Sequence, residues 1–305
     1  MKRLAIMLGM LAVAAFAVAQ TPSQQKQPAG AQSGAQQGSA QQGSATTAPQ
    51  GKRPPQAKTQ PEFDAYNAAI ANQKDPAAME KAADDFAAKF PASDLRVLLY
   101  RAAMHSYQTA ANSPKMLDMG QKVLTIDKDD PEALLGVGEV LEEQTSPTDL
   151  DKDQRMNQAV TYAQHALETI DTDLAVPAGS PPERVEAYKK YLRATAFVII
   201  GTIQYKREQY ADAEGNLRKA IDADPGNPDA VVILRLALAL DQQKKYPEAL
   251  QQAKRAVELT QEDTDVGKMA RNERDRLVIE TGGNNTPEPP APPAAGSPTP
   301  PPSSH

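Results

Sequence analysis

The chain has 305 residues, no cysteine and a formal net charge of −6 at pH 7. Without cysteine, disulfides, thiol catalysis and cysteine-ligated metal sites are excluded, and we expect no lipid anchor of the bacterial lipoprotein type. Residues 1–60 carry six bases and no acids and residues 286–305 carry one acid, which leaves 27 bases and 38 acids in residues 61–285. An acidic region of this kind repels a phosphate backbone, so we expect no nucleic-acid partner.

Residues 1–19 have the pattern of a secretory signal peptide. A basic start at Lys2 and Arg3 precedes an apolar run from Leu4 to Phe16, and Ala17-Val18-Ala19 then forms a small-residue cleavage site. The run is shorter than the about 20 residues that a membrane-spanning helix needs. We therefore expect cleavage after Ala19 and an exported protein, periplasmic or secreted, whose only membrane contact is through the signal peptide before cleavage.

Two low-complexity segments flank the central part of the chain. Residues 20–60 are rich in Gln, Ala, Gly, Ser and Pro, and residues 281–305 form a proline-rich tail. Such compositions bury too little apolar surface to offset the entropy lost on ordering, so both segments are predicted to be disordered linkers. The tail also allows a second interpretation, as a polyproline ligand for a docking domain.

Residues 61–280 have helical periodicity throughout, because apolar residues recur at spacings of three and four. Pairs such as Asp75-Pro76, Asp130-Pro131 and Tyr246-Pro247 interrupt this pattern at intervals. Proline is tolerated in the first turn of a helix and disfavoured inside one. The pattern predicts short helices joined by tight turns, with no β-strand.

The clearest unit runs from residue 194 to residue 227 and resembles the tetratricopeptide repeat, a 34-residue helix-turn-helix. Its matching residues are Phe197, Ile200, Gly201, Tyr210, Ala213, Leu217, Ala220 and Pro225. The resemblance implies that Gly201 and Ala213 lie where the two helices press together, and that Phe197 and Leu217 fill the space between units. The central aromatic is displaced by one position, to Tyr205.

Weaker copies of the unit begin near Gln60, Val97, Pro131 and Ala230, the last with Ala237, Ala249 and Ala256 at packing positions. The third copy has an insertion around residues 145–154, and residues 181–193 extend the first helix of the fourth. The predicted fold is all-α: a right-handed α-solenoid of about five helix-turn-helix units, closed by a capping helix over residues 263–280. A non-repetitive helical bundle and a related stacked-helix family remain as alternatives.

The sequence shows no familiar catalytic or metal-binding motif. His105, His165 and His305 have no second ligand at metal-binding spacing. The run from Asp149 to Asp153 alternates carboxylates like the start of a calcium loop, but it lacks the glycine and the bidentate glutamate that such a loop needs next. We expect no enzymatic activity and no cofactor.

In the tetratricopeptide family the first helix of each unit lines a concave groove that receives a peptide or a helix of a partner. The resemblance therefore implies these groove candidates: Arg101, His105, Gln108, Glu132, Leu135, Glu139, Glu142, Val198, Thr202, Tyr205, Lys206, Leu234, Leu238 and Asp241. The Lys and Asn clamp with which some members hold a C-terminal carboxylate is absent. Since the third unit is acidic, a partner of mixed or basic character is favoured.

Three hypotheses of function follow. The first is a non-catalytic scaffold of the bacterial cell envelope that binds a protein or peptide partner in the groove. The second is a structural envelope protein that uses its low-complexity segments for attachment. The third is an enzyme with an unrecognised site.

Overall fold

The structure is a computed structural model that describes residues 51–282. These residues form eleven α-helices and no strand, apart from an isolated bridge between Lys52 and Ala175. The helices are α1 Gln60–Ile70, α2 Pro76–Lys89, α3 Leu95–Thr109, α4 Ser113–Ile126, α5 Pro131–Gln144, α6 Lys152–Thr169, α7 Pro182–Lys206, α8 Tyr210–Ala223, α9 Ala230–Gln242, α10 Tyr246–Glu258 and α11 Asp265–Glu280. The predicted signal peptide and nearly all of the two predicted linkers lie outside the described residues.

The Asp-Pro pairs of the sequence mark helix starts. The Asp75 carboxylate accepts hydrogen bonds from two main-chain N–H groups at the start of α2, and Asp130 accepts one at the start of α5. Pro76 and Pro131 follow as the first helical residues, where a missing N–H costs nothing. These caps satisfy donors that a helix leaves unpaired at its N-terminus, and they fix where α2 and α5 begin.

The chain divides into two compact units, one ending at Arg193 and the other beginning at Ala194. In the first unit each helix from α1 to α6 packs against the next in sequence. The first helices of successive pairs also touch, α1 with α3 and α3 with α5. The core of this unit contains Met79, Leu99, Met104, Met119 and Val123, all of them buried.

In the second unit α8, α9, α10 and α11 also pack in sequence, and α9 contacts α11. The C-terminal part of α7 lies against α8, where a methyl group on Gly201 would come within 3.0 Å of the Leu217 Cγ. Leu217 is also in one buried cluster with Val232 and Leu236 of α9, so it joins its own pair to the next. Helix α11 covers the last pair, and its Leu277 is buried in the same cluster.

Helix α7 is 25 residues long. As the sequence predicted, residues 182–193 precede the repeat as a continuous helix. The inserted residues of the third pair also lie where they were predicted, in the connection between α5 and α6.

Three turns between the two helices of a pair share one backbone feature. Ala111, Glu208 and Lys244 each have a positive φ, at 53°, 60° and 61°. Side chains with a Cβ adopt this left-handed conformation at a steric cost. The same turn geometry in three pairs shows that they repeat one backbone unit although the residue at the turn differs.

The fold within residues 51–282 is therefore all-α, built of helices packed in adjacent pairs as in a tetratricopeptide solenoid, and the predicted fold class is confirmed. None of the helices there is both long and apolar enough to cross a lipid bilayer. Residues 51–59, which the sequence analysis assigned to the linker, lie against the first unit.

Candidate functional site

The first-helix face of the first unit is formed by side chains of α3 and α5, which the sequence analysis assigned to the groove. On it the Arg101 guanidinium lies 3.1 Å from the Asp130 carboxylate and 2.9 Å from that of Glu132. The other Glu132 oxygen is 2.8 Å from His105 Nε2, and the Tyr188 hydroxyl of α7 donates to Glu132 as well. We call these five residues the Arg101 cluster.

The Arg101 cluster is almost closed to solvent. The side chains of Arg101, Asp130 and Glu132 are 10, 3 and 11 % exposed. Burial opposes ionisation of Glu132, but the charge of Arg101 and the hydrogen bond with His105 outweigh it and hold the pKa of Glu132 at about 2. For Asp130 burial prevails over the attraction of Arg101 and raises the pKa of the carboxyl.

A crevice lies beside the cluster, toward the C-terminal ends of α3 and α5. It is a shallow recess with an enclosed space of about 10 Å³, room for about one water molecule, and it is lined by Gln108, Ala111, Asn112, Ser113, Met116, Glu139, Val140 and Glu143. Burial raises the pKa of Glu139, and the Gln108 amide, 3.4 Å away, offsets only part of this effect. Met116 and Val140 are buried apolar residues, so the crevice combines an apolar floor with carboxylates.

The second unit has its own polar contacts on the first-helix positions. The Arg276 guanidinium of α11 is 2.6 Å from the Asp241 carboxylate and 2.9 Å from that of Glu273. The Arg235 guanidinium of α9 donates to the Thr202 hydroxyl of α7 at 2.8 Å. Charged groups of α9 and α11 therefore pair with each other on this side of the unit.

The predicted groove residues fall into three groups by exposure. Four are buried: Arg101, Leu135, Thr202 and Leu234. Lys206 is exposed, and the rest are half-buried: His105, Gln108, Glu132, Glu139, Glu142, Val198, Tyr205, Leu238 and Asp241. The exposed and half-buried residues among them lie mostly toward the C-terminal ends of their helices.

Four residues in these contacts were not predicted as site residues: Asp130, Tyr188, Glu273 and Arg276. Asp130 carried the signal of a helix cap only. Tyr188 lies in the N-terminal extension of α7, outside the repeat pattern, so no repeat position pointed to it.

The predicted packing residues of the second unit differ in how far they are buried. Ala213, Leu217, Ala220, Ala237, Ala249 and Ala256 are buried together with Gly201. Phe197 is half-buried against the same cluster, and the Lys219 ammonium lies 5.7 Å from the centre of its ring. The Tyr210 ring packs edge-on against Tyr205 at 5.5 Å, and Pro225 is exposed in the turn after α8.

His165 and Asp149 make ordinary surface contacts. His165 Nε2 lies 2.7 Å from the Asp129 carboxylate. The Asp149 carboxylate accepts a hydrogen bond from the Ser146 main chain and pairs with Arg155 at 3.3 Å. Within residues 51–282, no group of three or more His, Asp or Glu side chains is arranged to hold a metal ion.

Comparison with known sequences identifies one family. Residues 204–272, which include the last three residues of α7 and most of the second unit, match the sequence model of the tetratricopeptide repeat. No curated protein matches the chain. The match includes residues 204–227, the larger part of the repeat that was the most specific in the sequence.

Several solved structures are similar to the chain at low identity. The Pseudomonas aeruginosa PilF protein is 16 % identical, with 73 % of this chain and 93 % of that chain covered and a TM-score of 0.46. A tetratricopeptide protein of Thermus thermophilus is 15 % identical over 72 and 99 % of the two chains, with a TM-score of 0.42. MamA of Desulfovibrio magneticus is 19 % identical over 62 and 97 %, with a TM-score of 0.39. Likeness of this degree assigns neither a partner nor a role.

Proposed function

We propose that this protein is an exported, non-catalytic scaffold that binds a basic segment of a partner polypeptide on the first-helix face of its first unit. The crevice beside the Arg101 cluster is the observation that carries the proposal. It joins Gln108 and Glu139, two groove candidates from successive first helices, in one recess.

The chemistry of the crevice suits a lysine or arginine side chain. Such a side chain lays its aliphatic stem on apolar surface and places its charged head among acceptors. Met116 and Val140 provide the apolar surface, and the carboxylates of Glu139 and Glu143 provide the acceptors. Because burial raises the pKa of Glu139, an incoming cation stabilises the ionised form of that carboxyl.

The remaining parts of the proposal have separate support. The family match of residues 204–272 supports protein binding, since stacked repeats of this kind present extended surfaces to partners. The non-catalytic role is supported by carboxylates and histidines that pair with neighbours instead of converging on an open site. Export is supported by the signal-peptide pattern of residues 1–19.

The test is recovery of envelope proteins with the full chain as bait, comparing wild type with Glu139→Lys. Reversing the crevice charge removes the acceptor of a basic side chain, so we expect Glu139→Lys to lose a protein that the wild type retains. The matched control is Glu262→Lys, which makes the same charge change at an exposed residue between α10 and α11. This control should retain the partner.

Equal recovery by wild type and Glu139→Lys would show that the partner does not bind in the crevice. Circular dichroism of each variant shows that it is folded before the comparison is made. The recovered partner can then be divided into short peptides, and those that bind the wild type should be rich in Lys or Arg.

A further inference from the structure

Residues 51–59 form an extended strap along the first unit, away from the crevice. The strap lies at the ends of α4 and α6 and leads to the start of α1. The main-chain N–H of Lys52 donates to the Leu174 carbonyl at 3.1 Å, and the N–H of Val176 donates to the Lys52 carbonyl at 3.1 Å. These two bonds form a parallel β-bridge between Lys52 and Ala175. An extended peptide that binds to a protein as an added strand uses main-chain hydrogen bonds of the same kind.

The surface that receives the strap is formed by Asp127, Asp173 and the main chain of residues 174–176. This receiving surface restricts which side chains the strap can carry. A Cβ on Gly51 would lie 2.8 Å from the Leu174 carbonyl oxygen, a distance that main-chain atoms do not allow. The next position needs a base, because the Lys52 ammonium lies 2.6 Å from the Asp127 carboxylate and 4.0 Å from that of Asp173. Main-chain pairing, a glycine-only position and a carboxylate pair together make a recognition site for an extended Gly-Lys segment.

The strap is held by few contacts. Its main-chain bridge is isolated, and the Lys52 side chain is 41 % exposed, so its ion pair is open to screening by salt. Toward α1, Ala57 packs against the apolar core, and the Lys58 main-chain N–H donates to the Glu62 carboxylate at 2.7 Å. The exposed Lys58 ammonium lies 3.6 Å from the Asp94 carboxylate. Pro54 and Pro55 limit the backbone to extended conformations, so that a released strap stays ready to bind again.

We propose that the surface formed by Asp127, Asp173 and the main chain of residues 174–176 is a second peptide-binding site, specific for an extended Gly-Lys segment, and that the strap occupies it as an internal competitor. A partner segment of this chemistry binds by displacing the strap. The site is independent of the proposed function, since it uses none of the crevice residues.

Binding of a fluorescent peptide with the sequence of residues 51–58 to the full chain tests this proposal. Lys52→Glu weakens the internal strap by placing a carboxylate against Asp127 and leaves the receiving surface intact. We expect this variant to bind the peptide at least about tenfold more tightly than wild type does. The matched control is Arg53→Glu, which should bind the peptide as wild type does. Within the described part of the chain, the Arg53 side chain makes no hydrogen bond or ion pair.

A charge swap provides the reverse test. In the double variant Lys52→Glu, Asp127→Lys, the internal ion pair forms again with its charges exchanged, and the surface presents an ammonium to the Lys of the added peptide. This variant should bind the peptide no better than wild type does. Binding as tight as that of Lys52→Glu alone would overturn the proposal. So would a Lys52→Glu variant that binds the peptide no better than Arg53→Glu does.

Discussion

At the scale of single residues, the Arg101 cluster closes part of the first-helix face to solvent. Arg101 is a buried cation that contacts two carboxylates, and removal of one member of such a group leaves an uncompensated charge. Its guanidinium is already paired within the unit. The cluster therefore organises α3, α5 and α7, while the neighbouring crevice with Glu139 is open to a ligand.

Replacement of Glu132 with Gln tests this role through pH. The folded-state pKa of Glu132, about 2, lies below the ordinary unfolded value of about 4.3, so its ionisation stabilises the fold above the unfolded value. That contribution is lost as pH falls through the folded value. At pH 7 the free energy of unfolding of Glu132→Gln should be about 2–4 kcal/mol lower than that of wild type. This difference should shrink as the pH falls from about 5 to about 2.

Chemical denaturation of both proteins across this pH range provides the measurement. Asp130 acts in the opposite direction, since burial raises its pKa and the charge of Glu132 raises it further. Glu132→Gln therefore also lowers the pKa of Asp130, and the measured difference includes this smaller effect. Glu143→Gln, at an exposed position of the same helix, should leave the free energy of unfolding nearly unchanged. A pH-independent gap between Glu132→Gln and wild type would contradict the assigned electrostatics.

At the scale of helices, the pairing of α7 with α8 depends on a glycine. A Cβ on Gly201 would meet three Leu217 atoms at 3.0 to 3.3 Å, whereas a Cβ on Gly215 of α8 would meet nothing within 4 Å. Close approach of two helices therefore requires a residue without a side chain at position 201 and does not require one at position 215.

Valine at each position makes a matched comparison. Gly201→Val should lower the free energy of unfolding by about 1–3 kcal/mol, because the added methyl groups force α7 and α8 apart. Gly215→Val should stay within about 0.5 kcal/mol of wild type, since valine has a slightly higher helix propensity than glycine. Thermal or urea unfolding measures both, and equal effects would mean that the helices do not press together at Gly201.

Much of the helical framework could be predicted from local signals. Asp75-Pro76 and Asp130-Pro131 mark helix starts because capping and the proline ring act within one turn. The turns at Glu208 and Lys244 could not be predicted to have positive φ, since neither is Gly or Asn, and the backbone there is set by the packing of the pair.

The site was less predictable than the helices. The repeat pattern identified Arg101 and Glu132 as groove residues, but their burial depends on Asp130 and Tyr188, which approach only when α3, α5 and α7 are stacked. Gly201 was expected to lie at the contact of its two helices, and its nearest neighbour there is Leu217, one turn beyond Ala213. A repeat pattern predicts which helices pack against each other. The atoms that come into contact depend also on how each helix is rotated about its own axis.

At the scale of the whole molecule, charge and composition agree with a scaffold for a basic partner. Residues 61–285 carry eleven more acids than bases, a distribution that attracts positively charged segments over distances comparable to the Debye length. The chain also has no cysteine, so that a single introduced thiol can report on one place of the surface.

The central claim is that a partner polypeptide binds on the first-helix face of the first unit, and site-specific crosslinking tests it most directly. A photo-crosslinker is attached to a cysteine that replaces Gln108 of α3 in one variant and Gln121, an exposed residue of the second helix α4, in the other. The account predicts that a polypeptide is captured in the cell envelope through position 108 and not through position 121. Capture through position 121 alone, or equally through both, would contradict it.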